Sequence, residues 1–192
     1  MNTELIRQAI ILLEQAITAP TPAPSTTLRW GAKVSETFKE RVIWIGEDLG
    51  FDPNLLMDCI AFESAETFKA DIKNAAGSGA TGLIQFMPST ARSLGTTVEA
   101  LARMAPEDQL NYVWKYFRPY AGKLATLDDV YMAILWPKAV GKSANYVLFQ
   151  GPGTIAYRQN AGLDTNRDSK ITKAEAAAKV REKSTRGEQF RG

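Results

Sequence analysis

The stretch Pro53-Asn54-Leu55-Leu56-Met57-Asp58-Cys59-Ile60-Ala61-Phe62-Glu63-Ser64 decides how the rest of the chain is read. Leu55, Leu56, Cys59 and Ile60 fall at the i, i+1, i+4, i+5 spacing of a core-facing helix side. Continuing that rhythm by three or four residues lands on Glu63. A carboxyl on the buried side of a helix is penalised when ionised, so its pKa is expected to rise. An acid that keeps its proton near neutral pH is suited to cleaving a sugar–sugar bond by general acid catalysis. The competing reading of the same stripe is a glutamate at the helix end that reaches water.

Outward from this helix, Asp52-Pro53 supplies an N-cap and a first-turn proline. Gly50 closes a preceding helix over 35–49, whose Phe38, Val42, Ile45 and Leu49 share one side. The segment 69–82 is polar and glycine-bearing, and is expected to be a loop or an irregular hairpin. Further helices are predicted from Pro88, over 97–104, over 106–120 with Leu110, Val113, Trp114 and Phe117 at core spacing, and over 128–135 before Pro137. Alternating Val, Ile and Thr are scarce. The fold class expected is mainly α with at most a small β element.

The flanks differ in composition. Residues 1–17 form an amphipathic pattern on Leu5, Ile6, Ala9, Ile10, Leu13 and Ile17, and 18–28 is a Pro/Thr-rich spacer of extended, semi-rigid chain. The main domain is expected over 29–150, with a separate C-terminal segment over 151–192. An apolar fraction of 45% in 192 residues supports one real core, and a net charge of +2 argues against a nucleic-acid partner. The chain has no histidine and one cysteine, which excludes Ser-His-Asp chemistry and His-ligated zinc, and leaves Cys59 as small core filler. No apolar run approaches the ~20 residues that span a bilayer. The N-terminal stretch carries Glu4 and Glu14 and lacks the layout of a secretory signal.

Residues 164–175 follow the EF-hand loop template. Asp164, Asn166 and Asp168 stand at positions one, three and five. Lys170 offers its backbone carbonyl at position seven, and Glu175 stands at the chelating position twelve. Position six, where a glycine eases the sharp turn, is Ser169, which reaches φ > 0 only at a cost. A structural calcium ion is the cofactor expected here; a polar turn capping a helix is the alternative.

Read together, Phe62-Glu63-Ser64 and Gly82-Leu83-Ile84-Gln85-Phe86-Met87-Pro88-Ser89-Thr90-Ala91, about twenty residues apart, resemble the lysozyme-like lytic transglycosylases, particularly phage-encoded ones with a soluble-lytic-transglycosylase domain. The likeness covers roughly 35–150. The family's Ala-Tyr-Asn-x-Gly motif is not present in that form; the corresponding helix reads Tyr131-Met-Ala-Ile-Leu-Trp136-Pro137. Tyr131 is the first candidate for the missing aromatic hydroxyl and Tyr157 the second.

The resemblance implies a lysozyme-like helical domain acting on peptidoglycan glycan strands. Glu63 would protonate the oxygen between N-acetylmuramic acid and N-acetylglucosamine. It would then accept the proton of the muramoyl C6 hydroxyl as a 1,6-anhydro ring closes. Ser64, Gln85, Phe86, Met87 and Tyr131 are the expected substrate contacts, with Gln85 able to donate to and accept from sugar amides. Were Glu66 or Asp71 to sit across the cleft, hydrolysis by a two-carboxylate muramidase would follow instead. A non-catalytic wall-binding virion module is the other alternative. The same likeness implies a protein made in a host cytoplasm and acting on the wall from the periplasmic side. It would be released at lysis or carried in a phage particle, with virion or self-association through residues 1–17.

Overall fold

The computed structural model describes residues 27–75 and 77–192; the helix expected at 1–17 and most of the 18–28 spacer lie outside them. Helix starts follow the capping chemistry of the sequence. Ser35 Oγ accepts the Phe38 N–H at the head of α1 (Glu36–Leu49), and Gly50 ends it at φ 78°. The Asp52 carboxylate accepts the Asn54 N–H, and Pro53 fills the first turn of α2 (Pro53–Glu63). There follow α3 (Pro88–Ser93), α4 (Val98–Ala102), α5 (Pro106–Phe117) and α6 (Leu127–Leu135). The chain continues through β1 (Val147–Gln150), α7 (Ile155–Asn160), β2 (Lys170–Thr172) and α8 (Lys173–Gly187).

The result is mainly α, as expected of a lysozyme-like domain. Among the described residues the one sheet is the antiparallel β1–β2 pair, with Phe149 opposite Ile171 and Gln150 opposite Lys170. The segment 69–82 is an irregular hairpin: isolated bridges join Lys73 to Thr81 and Thr81 to Phe86.

Helix α2 is not the one-sided amphipathic element that its Leu55-Leu56-Cys59-Ile60 spacing suggests. Leu56, Met57, Asp58, Cys59, Ile60 and Ala61 are buried in succession, because α1, α6 and α8 all pack against it. A helix enclosed on all sides is apolar all round. Its one buried charge, Asp58, is therefore paired: Arg29 donates to both carboxylate oxygens, with Nη2 2.6 Å from Oδ2.

The C-terminal segment closes over the same core. Ile171, Ala176, Ala177 and Val180 are fully buried within it. Leu28 and Gly192 exchange backbone hydrogen bonds, and Trp30 stacks on Phe190 at 5.2 Å between ring centroids. Gly187 lies against Trp30 so closely that an added Cβ would come within 2.5 Å of the indole Nε1. The start of α8 is locked by Lys173, whose buried ammonium donates to Asp129 Oδ1 at 2.5 Å and to the carbonyls of Ala139 and Lys142. Burial would raise the Asp129 pKa, but donation from Lys173, Gly141 N–H and Thr126 outweighs it and leaves the carboxyl lowered.

Candidate active site

Glu63 closes the last turn of α2 and lies within electrostatic reach of Cys59, Tyr116 and Tyr131. Its surface exposure is partial, yet protein crowds the carboxyl on most sides. Burial pushes its pKa up to about 8, and no opposing cation offsets this among the described residues. Phe62 and Tyr131 meet edge to face at 5.4 Å, and both tyrosine hydroxyls are pushed upward, by burial first and by the neighbouring Glu63 carboxyl second or later. Both phenols therefore stay protonated.

The turn that follows holds Glu63 in place. Ala65, Glu66 and Phe68 all take left-handed φ, at 51°, 64° and 54°. Non-glycine residues in that region cost of order 1 kcal/mol or more each and persist only where the surroundings fix them. Here the fixing contacts are visible. The Ser64 hydroxyl accepts the Phe68 N–H, the Ser64 carbonyl accepts from Thr67, and the Glu66 N–H reaches back to the Ala61 carbonyl at 2.7 Å. The Glu66 carboxylate is clamped by Lys183 at 2.5 Å and Arg186 at 3.1 Å, both on α8.

These placements revise two expectations. Ser64, expected among the substrate contacts, is fully buried, and its hydroxyl is spent on the turn. Glu66, weighed as an opposing acid, is instead a half-buried tether between α2 and α8.

The Gly82–Ala91 stretch forms one wall of a cleft bounded by Tyr116, the phenol within electrostatic reach of Glu63. Gln85 has φ 53°, and its side-chain amide donates to the Ile72 and Gly82 carbonyls, leaving its Oε1 as acceptor. Gln85, Phe86, Met87 and Tyr116 line a small cleft of about 50 Å³. Phe86 is buried behind it against the edge of Tyr116, while Met87 is 44% exposed at its mouth. Gly82 is required where it stands: at φ 88°, an added Cβ would fall 2.4 Å from Gln109 Oε1.

Two contributors escaped sequence reading. Tyr116 joins the cleft from α5 and donates to the Ala133 carbonyl at 2.6 Å. Gln109 is wholly buried, accepts the Leu83 N–H at 2.7 Å and donates to the Ala70 and Leu101 carbonyls, so it hangs the wall on α5. The spacing of Tyr116 from Phe117 and Val113 signals a helix but not which neighbour faces substrate. Tyr157 is far from this setting in role: its hydroxyl donates to Asp164.

In the loop 164–175, Asp164 accepts the Asp168 and Ser169 N–H groups, Asn166 accepts Asp168 N–H, and Asp168 accepts Lys170 N–H. Ser169 takes the left-handed φ of 67° that position six demands. Glu175 caps α8 by accepting from Thr172 N–H and hydroxyl. The donor set is all hard oxygen, which suits calcium. Among the described residues, no three acidic, Cys or His side chains converge closely enough to hold an ion. No described helix is long and apolar enough to cross a membrane.

Residues 43–135 match the family model of the transglycosylase SLT domain. That span contains Glu63, the Gly82–Ala91 wall, Tyr116 and Tyr131, and it supports a lytic transglycosylase domain with cell-wall peptidoglycan as substrate. No curated protein matches the chain.

Proposed function

Taking the similarity of residues 43–135 to the transglycosylase SLT domain as premise, we propose that this protein cleaves the β-1,4 bond between N-acetylmuramic acid and N-acetylglucosamine, with Glu63 as its single acid–base group. The observation that carries this reading is a carboxyl held up to about 8 by burial beside two phenols, while the nearest acid in sequence is committed to Lys183 and Arg186. Glu63 donates its proton to the leaving oxygen. As a carboxylate it then takes the proton of the muramoyl C6 hydroxyl, whose oxygen attacks the anomeric carbon and forms the 1,6-anhydro ring. With Glu66 clamped, a paired-carboxylate hydrolysis lacks its second acid from that position. Tyr116, Tyr131, Met87 and the Gln85 carbonyl position the sugars. A phage setting, at lysis or in the particle, fits the same chemistry.

Mass spectrometry of digested peptidoglycan tests the reaction: anhydro-muropeptides are expected, and reducing ends would establish hydrolysis instead. Glu63→Gln is expected to lose at least ~100-fold in wall clearing with the fold retained; undiminished clearing would remove Glu63 from the mechanism.

We further propose that the 164–175 loop takes a structural calcium ion through Asp164, Asn166, Asp168, the Lys170 carbonyl and Glu175. The ion would hold the head of α8 and supply no chemistry to the cleft.

A further inference from the structure

The turn that ends α2 is fastened by residues outside 43–135, the span that matches the transglycosylase SLT domain. Ala65, Glu66 and Phe68 hold left-handed φ there, where non-glycine residues stay only if their surroundings fix them. Two of the three carry side chains long enough to be gripped. The Glu66 carboxylate takes Lys183 on Oε1 at 2.5 Å and Arg186 on Oε2 at 3.1 Å, so each oxygen has its own cation from α8. Phe68 is buried, and the rings of Trp30 and Phe38 each meet it at 6.1 Å between centroids. Trp30 is in turn stacked on Phe190, just past the end of α8. The C-terminal segment thus reaches the turn twice, by charge at Glu66 and through two stacked rings at Phe68.

These fastenings bear on the acid because so little chain separates them. Glu63 is the last residue of α2, and Ser64 N–H and Glu66 N–H close that helix on the Ile60 and Ala61 carbonyls. A turn that relaxed toward ordinary φ would re-aim the final helical residue. Misplacing a reacting group by about 1 Å can cost on the order of 100-fold in rate.

Resting on the cleavage reading above, we propose that Glu66 is a positioning residue for Glu63, and that Lys183 and Arg186 are the partners through which α8 sets the aim of the acid. Glu66 acts through the turn and not on substrate. The unit that performs the reaction in this chain therefore extends past the family domain and includes α8. Its ion pairs are partly exposed, so they add little to global stability while fixing one local geometry.

The test compares the wild-type chain with Glu66→Gln, with Lys183→Met/Arg186→Met and with the three changes combined, at a temperature where circular dichroism shows all four folded. Glu66→Gln and the Met pair are each expected to lower kcat on peptidoglycan about tenfold with KM unchanged. The triple variant should be no slower than either, because all three lose one shared interaction. Lys183→Arg/Arg186→Lys keeps both charges and should cleave at close to the wild-type rate. An unchanged kcat, a loss confined to KM, losses that multiply in the triple variant, or a charge-keeping exchange as slow as the Met pair would overturn the proposal. If the wild-type chain cleaves no peptidoglycan, the cleavage reading fails by itself, and amide hydrogen exchange then decides the clamp. The Glu66 and Phe68 N–H groups, bonded to the Ala61 carbonyl and the Ser64 hydroxyl, should exchange about tenfold faster in the Met pair while amides of α1 keep their rates. Exchange unchanged at Glu66 and Phe68, or faster by the same factor throughout α1, ends it.

Discussion

Glu63 gains its proton affinity from position alone, and that has a thermodynamic signature. Its folded pKa of about 8 lies above the ordinary 4.5. Between those values the folded state binds more protons than the unfolded one, so stability falls as pH rises through the window and is fullest below it. Glu63→Gln removes this dependence. Its melting temperature relative to wild type should rise from pH 5 to pH 8, by an amount corresponding to about 1–3 kcal/mol once partial exposure is allowed for. Parallel melting curves across that range would contradict the assignment. On the proposed mechanism wall cleavage needs the protonated acid, so activity should decline as pH climbs through about 8. Glu63 was legible in the sequence because a carboxyl interrupts an apolar run. The clamp on Glu66 was not, since its partners Lys183 and Arg186 stand 117 or more residues away and no local pattern joins them.

At the scale of elements, the helices announced themselves through their caps. Ser35, Asp52-Pro53, Thr126 and the Thr172–Glu175 capping box each begin a helix where the sequence places a short oxygen side chain before an apolar run. The β1–β2 pair gave no such signal, because a strand of four residues and one of three are joined across a twenty-residue span. Helix α8 depends most on a contact of the same hidden kind, the enclosed Lys173–Asp129 pair. Lys173→Met would strand the Asp129 carboxylate in the interior and is expected to cost about 3–5 kcal/mol, whereas Lys173→Met with Asp129→Leu should regain most of that loss. Chemical denaturation of the three proteins measures it, and a double variant no better than the single would show that the partner carbonyls, not the charge, set the cost.

Across the whole molecule, the C-terminal segment and the cleft are one packing unit: α8 lies along α2, and its ion pairs hold the turn behind Glu63. Order in the 164–175 loop therefore bears on α2, the helix that carries Glu63, through α8. Saturating calcium is expected to raise the melting temperature by about 5 °C or more over chelator, and Glu175→Gln should abolish most of that shift. Identical melting in calcium and chelator would leave the loop a plain helix cap. The likeness of 43–135 was readable from two short motifs, but not the docking of α8, because burial of Ala176, Ala177 and Val180 in an Ala- and Lys-rich helix looks like any solvated surface helix.

The packing of Trp30 makes this docking observable without a label. Of the four tryptophans in the chain, Trp30 is the one sealed wholly from solvent, under Phe190 and Gly187, while Trp44 is 50% exposed and Trp114 and Trp136 are part-covered. A sealed indole emits at shorter wavelength than a wetted one. Any treatment that peels the last helix from the core will thus redden the intrinsic fluorescence, so the chain carries its own optical gauge of closure.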